Sequence, residues 1–456
     1  MRDVIFTLMI AGLLPACFRR PLIGLLTFSW LAYMRTQDLT WGFARHQRWS
    51  FLIAGVTTAG FISNPAGRTW ARDVRCYCMI FLMVWIGLSV VFGEIQDDYQ
   101  FKRYVEYVKI VVISMFTTVV VVKREHLRVL VWVIALSFGF YGIKIGLGGV
   151  LSGGSMQVLQ GPGGNMADNN DFSLALCMAL PLLLQIGLTE TDKHLRRGIL
   201  LALPLTALTV IMTRSRGGFL SLMAVIAIQV WNSKNRMVGF GVGFLLVIGG
   251  LLFIPSEYVE RLETLKNPTA DGSAMGRIAA WETAWNMGVG NPVFGVGMTQ
   301  FEKFYDRYRG PLSMGLHGRV AHNAYFQILA ECGFPALLVY VFLLMYSIYC
   351  MGRLRRDARR QYTSSWIINY ATMFETTLIA FMIGSTFLNR AHFDLFYHFV
   401  AITVAFEVIA RREMKGLVVA PRRTGKHVRG TLIAAQPGGF QRAPLPSGFR
   451  DQPRVG

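Results

Sequence analysis

The feature that most restricts what this chain can fold into is the recurrence of apolar runs of membrane-crossing length. They lie near residues 4–17, 22–34, 49–63, 75–93, 104–122, 127–148, 172–188, 197–212, 218–231, 238–254, 334–352, 366–388 and 395–410. A hydrocarbon core about 30 Å thick is crossed by roughly 20 residues of helix, and shorter runs serve as re-entrant pieces. Lipid offers the backbone no hydrogen-bond partner, so each run must satisfy its own N–H and C=O groups as a helix. Composition agrees: 53% hydrophobic and 16% charged residues over 456 positions, with a mean hydropathy of +0.41, is too apolar for a soluble domain of this length. The expectation is an all-α integral membrane protein of about twelve spans, twelve or thirteen by the runs above. The first two are short and divided by Phe18-Arg19-Arg20-Pro21, so they form a hairpin or one broken element. No basic stretch followed by a small-residue cleavage site marks a removable signal peptide.

One long polar stretch, residues 255–321, interrupts the pattern and ends in His322-Asn323 at the head of an apolar segment. It divides the chain into N-terminal spans (1–254), a surface loop with amphipathic helices (255–321), C-terminal spans (322–410) and a tail (411–456). The net charge of +20 could suggest nucleic acid, but its distribution argues against that partner. If the long loop faces outward, the opposite side carries Arg19, Arg20, Arg68, Arg72, Lys123, Arg124, Lys193, Arg196, Arg197 and the run Arg353, Arg355, Arg356, Arg359, Arg360. The basic tail from Arg411 lies on that side too. An excess of Lys and Arg on one side marks the cytoplasmic face. The tail, rich in Pro, Gly and Arg without apolar periodicity, is expected to be disordered and to touch anionic membrane lipids.

Cys17, Cys76, Cys78, Cys177, Cys332 and Cys350 all fall in or beside apolar runs, so neither a disulfide framework nor a zinc site follows, and small core residues are expected. No internal repeat or pair of matched broken helices is visible, which counts against a secondary transporter. Ionisable residues inside spans are few. Lys109 and Lys144 lie near enough to span ends to snorkel, whereas Glu375 is either functional or a hydrogen-bonded helix contact.

Three elements on the outward side carry unusual residues. Thr213-Arg214-Ser215-Arg216-Gly217-Gly218 puts two arginines where positive charge is normally depleted, although snorkelling arginines at a helix end would look the same. In Gly276-Arg277-Ile278-Ala279-Ala280-Trp281, Arg277 and Trp281 are i,i+4 partners on one face of an amphipathic helix. The glycine-rich stretch 288–297 that follows would let backbone approach a ligand. In His322-Asn323-Ala324-Tyr325-Phe326-Gln327-Ile328-Leu329-Ala330-Glu331-Cys332-Gly333, residues 322, 325, 326 and 329 follow a helical stripe that puts His322 at its aqueous end. A lone histidine in such a place is more often structural. Beside arginines on the same side of the membrane it becomes a candidate catalyst. Guanidinium groups bind phosphate oxygens bidentately, and a neutral imidazole with a pKa near ~6.5 can accept a proton from an alcohol. The combination suits displacement of a lipid-linked pyrophosphate by a sugar hydroxyl, a role that needs no metal and no cofactor.

These ordered elements, Ser215-Arg216-Gly217-Gly218, then Gly276-Arg277 with Trp281, then His322-Asn323 with Leu329, Glu331 and Gly333, resemble the signature of the bacterial O-antigen ligase superfamily over about residues 160–400. The N-terminal part, with the loop Gly161 to Asp171, resembles its exosortase-associated O-glycosylation ligases. The resemblance implies a GT-C-like glycosyltransferase of the bacterial inner membrane, with its site facing the periplasm. It implies that Arg216 and Arg277 hold the undecaprenyl pyrophosphate of the glycan donor, that His322 is the base, and that reaction is inverting and metal-independent. Ligase members of the family use lipid A core as acceptor. Arg214 has no settled counterpart, and is a third candidate for the pyrophosphate. Asn323, Trp281 and Glu331 are expected to support the site.

The 161–171 loop has two compatible readings: Asn or Asp ahead of the run from Phe172 caps a helix, or Asp168, Asn169 and Asn170 contact the acceptor sugar. It lacks the Gly-Lys-Ser/Thr of a P-loop and the glycine and terminal glutamate of a calcium loop. Glu257, Glu260, Glu263, Glu282 and Glu302 could suggest a glycosidase pair, which only their separation could test. Polymerisation of repeat units and glycan transfer to protein are the neighbouring functions. A lipid-linked glycan transporter or a non-catalytic scaffold would be different classes, neither of which needs His322.

Overall fold

The computed structural model describes residues 1–63, 70–164, 166–232, 272–313, 317–361 and 365–416. The expected span at 238–254, the first part of the polar stretch with Glu257, Glu260 and Glu263, and the tail from residue 417 lie outside the described residues. The helices follow the apolar runs: α1 (Arg2–Arg19), α2 (Pro21–Tyr33), α3 (Trp49–Ser63), α4 (Val74–Phe92), α5 (Asp98–Val120), α6 (Arg124–Leu151), α7 (Asn169–Thr189), α8 (Lys193–Met212) and α9 (Arg216–Asn232). The polar stretch contributes α10 (Gly272–Gly290) and α11 (Phe301–Tyr308), and the chain then runs through α12 (Ala324–Gln361), α13 (Ser365–Gly384) and α14 (Asp394–Met414). A short antiparallel hairpin, β1 (Gln160–Gly163) and β2 (Met166–Asp168), stands between α6 and α7.

By length and composition six described helices suffice to cross a membrane, namely α4, α6, α7, α8, α12 and α13, and α2 and α3 are shorter apolar helices. The chain is thus helical and multi-pass, but the expected count of about twelve spans is not reached on these terms. Several runs make helices of 13 to 18 residues, and α5 opens on a charged stretch, Asp98 to Lys109. The segment 322–333 and the run 334–352, which read as separate pieces, are divided at Gly333 (φ 80°, ψ 179°), where non-helical backbone just before Pro335 splits α12 into two helices that meet at a kink. The kink has a packing cause. A Cβ on Gly333 would stand 2.3 Å from the Val293 carbonyl oxygen, so the approach of the polar stretch requires glycine there.

Polar contacts sort the connections into two ends. At one end Arg75, fully buried, bonds Asp73 (2.7 Å) and Glu407 (2.6 Å), and Arg411 bonds Glu407 (2.7 Å). Glu375 belongs to this end: Arg355 pairs with it at 2.5 Å, so it is an ion-paired helix contact. At the other end α10 and α11 gather with the hairpin, the turn before α9 and the segment between α13 and α14. There Lys303 pairs with Asp97, Arg307 with Glu94 at 2.6 Å, and Arg390 with Asp171. We call this the loop face.

Helix α7 is the hub. Nearly all of its residues from Asp171 to Gly187 are buried, and it packs on α6, α8, α9 and α13. Small residues allow the close crossings, since burial against lipid gives helices no hydrophobic reason to associate and contact must come from backbone approach. A Cβ on Gly218 of α9 would fall 1.8 Å from the Ser173 hydroxyl of α7, and one on Gly142 of α6 would fall 2.1 Å from the Thr206 hydroxyl of α8. The hub fixes the start of α7, and so the hairpin, relative to the start of α9. The polar stretch has a small core of its own, with Ala280, Ala284, Met287, Val296, Phe301, Phe304 and Tyr305 closing on Ala321 and Ala330.

Candidate active site

His322 sits at the end of the polar stretch, outside the helix that follows it. Its φ of 47° is left-handed, so it does not continue the stripe of Tyr325, Phe326 and Leu329 as the periodicity suggested. Asn323 is the reason that helix starts one residue later. Its side-chain oxygen accepts from the backbone N–H groups of Tyr325 (2.9 Å) and Phe326 (3.1 Å), an N-cap worth about 1 kcal/mol. Asn323 itself is buried, so it holds the turn that presents His322. Left-handed backbone at a non-glycine residue costs of order 1–3 kcal/mol and needs its surroundings to hold it.

Trp281 supplies part of that hold. Its indole Nε1 donates to the Ala321 carbonyl at 3.1 Å, and its ring stacks on Phe326 with centroids 5.7 Å apart and planes 17° apart. One side chain on α10 thus grips both sides of the His322 turn. Trp281→Phe keeps a stacking ring and loses the donor, so a several-fold fall in transfer rate is expected with little change in thermal midpoint, in line with a net hydrogen-bond contribution of about 1 kcal/mol. Assays of rate and melting on the same preparation check this; an unchanged rate would remove Trp281 from the site.

Arg277 lies one helical turn before Trp281, with its guanidinium 6.0 Å from the Phe387 ring centroid. Phe387 in turn packs against Gly217, whose added Cβ would come within 2.9 Å of the Phe387 Cβ. Arg277 and the Arg216-Gly217 start of α9 therefore meet around one phenylalanine, although 60 positions separate them in sequence. Arg216 is the first residue of α9, and Ser215 caps it by accepting from the Gly218 N–H at 3.1 Å. The helix start adds oriented N–H groups to the guanidinium, a combination that favours anions. Arg214 is left-handed, with φ 52°. Two of the four described non-glycine residues with positive φ, Arg214 and His322, are thus residues singled out by their chemistry.

The hairpin completes the loop face. Asp168 caps α7, accepting from the Asn170 N–H at 2.8 Å, and Asn170 Nδ2 donates to Asp168 at 3.0 Å. The capping reading therefore holds. Asn169 Nδ2 donates to the Thr213 carbonyl at 2.9 Å and ties the start of α7 to the arginine turn. Both Asp168 and His322 remain exposed. The His322 ring is crowded on its protein side, and its pKa is lowered first by that desolvation and then by the Arg277 charge, with Asp168 acting in the opposite direction and Arg319 in the same one. Arg277, Arg319 and Asp168 are thus the charged groups that act on the imidazole.

Glu331 does not join this group. It is buried, accepts from Gln327 Nε2 at 3.2 Å and lies 3.9 Å from His392, while its backbone oxygen accepts from Ser89 (2.6 Å) and the Gly297 N–H (3.0 Å). It anchors the polar stretch to α12. The glycines of 288–297 serve the same end: Gly295, with φ 66°, lies against the Glu331-Cys332 backbone, and the Phe334 N–H donates to the Pro292 carbonyl at 2.9 Å. They admit protein backbone, where sequence suggested a ligand. Glu282 accepts from the Leu312 N–H at 3.2 Å, within the polar stretch.

Several contributors were not legible. Phe387 carried no signal, being one aromatic among many. Arg35, left-handed at φ 48°, pairs with Asp38 and packs against Gly163 and Gly164, which steadies the hairpin. Arg319, three residues before His322, could have been noticed as a further positive charge on the depleted face. Residues 201–341 match the family model described as O-Antigen ligase, a stretch that contains Arg214, Arg216, Arg277, Trp281, His322, Asn323 and Glu331. Residues 1–187, with the hairpin, match a model described as a family of unknown function (DUF5935). No curated protein matches the chain.

Proposed function

We propose that this chain, which belongs to the O-antigen ligase superfamily through residues 201–341, transfers a glycan from undecaprenyl pyrophosphate to a sugar hydroxyl of lipid A core at the periplasmic face of the bacterial inner membrane. The observation that carries the reading is the meeting of Arg277 with the Arg216-Gly217 helix start around Phe387, on the face that holds His322. In the reaction the acceptor oxygen attacks the anomeric carbon as its proton passes to His322. The bond from that carbon to the phosphate oxygen breaks, the anomeric centre inverts, and the lipid pyrophosphate leaves with its charge offset by Arg216, Arg277 and Arg214. Asp168, Asn169 and Asn170, at the hairpin end of α7, are the acceptor contacts in this reading. Asp168 and Asn170 already bond one another, so the acceptor would meet an ordered edge.

Polymerisation and transfer to protein use the same donor half and differ only in the acceptor. The deciding experiment deletes the gene and follows lipopolysaccharide, glycan chain length and protein glycosylation together. Loss of glycan from lipid A core alone is the expected result. Loss confined to glycoprotein or to chain length would replace the acceptor and keep the transferase. Normal levels of all three would overturn the reading, and donor accumulating on the cytoplasmic leaflet would favour a transporter.

A further inference from the structure

Three described cations of the later part of the polar stretch are paired within the protein. Lys303 is bonded to Asp97, Arg307 to Glu94 at 2.6 Å, and Arg309 lies 3.8 Å from Asp306. Arg319 differs. It is exposed, and among the described residues it has neither a carboxylate partner nor a hydrogen bond. One guanidinium nitrogen lies 3.0 Å from where a Cβ on Gly276 would stand, so the group rests over the residue next to Arg277. Arg277 and Arg319 both act on His322 as cations, and an anion that met both would offset their like charge.

We propose that Arg319 is a further guanidinium of the donor site, which grips the diphosphate of a prenyl-linked donor together with Arg277 across Gly276. The inference rests on the donor reading given above and adds a contact from the segment that leads into His322. The diphosphate would add a second tie between the approach to His322 and α10, beside the Trp281 bond to Ala321. A second consequence concerns the imidazole. The charged groups acting on His322 are Arg277 from α10, Asp168 from the hairpin and Arg319 from its own segment. With donor bound, the diphosphate offsets the two cations; without it, Arg319 helps to keep the base neutral.

The test uses the full-length protein in detergent, with farnesyl diphosphate as probe in calorimetric titrations and a glycan-transfer assay across pH. Arg319→Gln should weaken farnesyl diphosphate binding about 10–100-fold, the scale of one charge-assisted hydrogen bond, and Arg319→Lys should fall between it and the wild type. Arg309→Gln, which removes a paired cation of the same stretch, should change binding less than about twofold. In the absence of saturating donor, the acid limb of the Arg319→Gln profile should move to higher pH, as loss of a neighbouring cation makes His322 easier to protonate. A merely structural role would lower thermal stability in both Arg319 variants and leave the limb in place. Wild-type binding matched by Arg319→Gln overturns the inference alone, and so does equal weakening by Arg309→Gln, which would indicate a diffuse field. A wild type that binds no farnesyl diphosphate and transfers no glycan would overturn the donor reading itself.

Discussion

His322→Ala should reduce glycan transfer by a factor of about 100 to 10,000, the range removed with a general base, while leaving the binding of lipid pyrophosphate largely intact. The reason is that the imidazole serves the nucleophile and the arginines hold the leaving group. The pH dependence supplies an independent check. Only the neutral base can accept the acceptor's proton, so activity is full above the His322 pKa and falls as pH drops through it. Desolvation and the Arg277 charge lower that pKa from its usual value of 6.5. The acid limb should therefore lie below the position of an ordinary histidine, so the enzyme stays active into mildly acidic solution. Rates measured from pH 4 to 8 with donor well below saturation check both points. A purified His322→Ala protein that transfers glycan at an ordinary rate would leave no reason to assign the residue to catalysis, and a transporter or scaffold would then be the better description.

Replacing Arg216 or Arg277 with Lys should cost about 2–4 kcal/mol of transition-state stabilisation although the charge is kept. A lysine ammonium is a point charge and cannot reproduce the planar fork that meets two phosphate oxygens. The two positions should respond differently in one respect. Arg277 lies over the Phe387 ring, so lysine there also loses an aromatic contact that fixes the guanidinium, and Arg277→Lys should raise the donor KM as well as lower kcat. Arg216 opens α9, where the neighbouring backbone N–H groups remain in the variant, so its loss should fall mainly on kcat. Near-normal transfer by both variants at equal expression would refute the clamp. Equal effects on KM and kcat at the two sites would refute the division of labour.

The apolar runs were enough to specify helices, because lipid leaves a backbone no other way to satisfy its polar groups. Their boundaries were legible wherever a local signal marks them, as at Asp168, which caps α7 through the Asn170 N–H. That Arg277 and Trp281 stand one turn apart on a single helix was legible as well, since it depends only on helical pitch. What failed were extrapolations across a boundary. The periodicity of 322–329 ran His322 into a helix that Asn323 begins after it, because a cap is a hydrogen bond and leaves no trace in hydropathy.

Tertiary structure alone decided which partners arrive from elsewhere in the chain. The glycines of 288–297 could have admitted ligand or protein with equal ease, and the carbonyl groups of Val293 and Pro292 crowding Gly333 decided for protein. Glu375 could have been functional or structural until Arg355 was found beside it. Arg277 reaches Phe387 and the start of α9 because α9 and α13 pack directly on one another, while α10 packs on α12 and α12 on α13. Local sequence determines conformations that one turn of chain can stabilise by itself. The juxtaposition of distant turns depends on how small residues such as Gly218 let helices close on one another, and that is a property of the packed bundle.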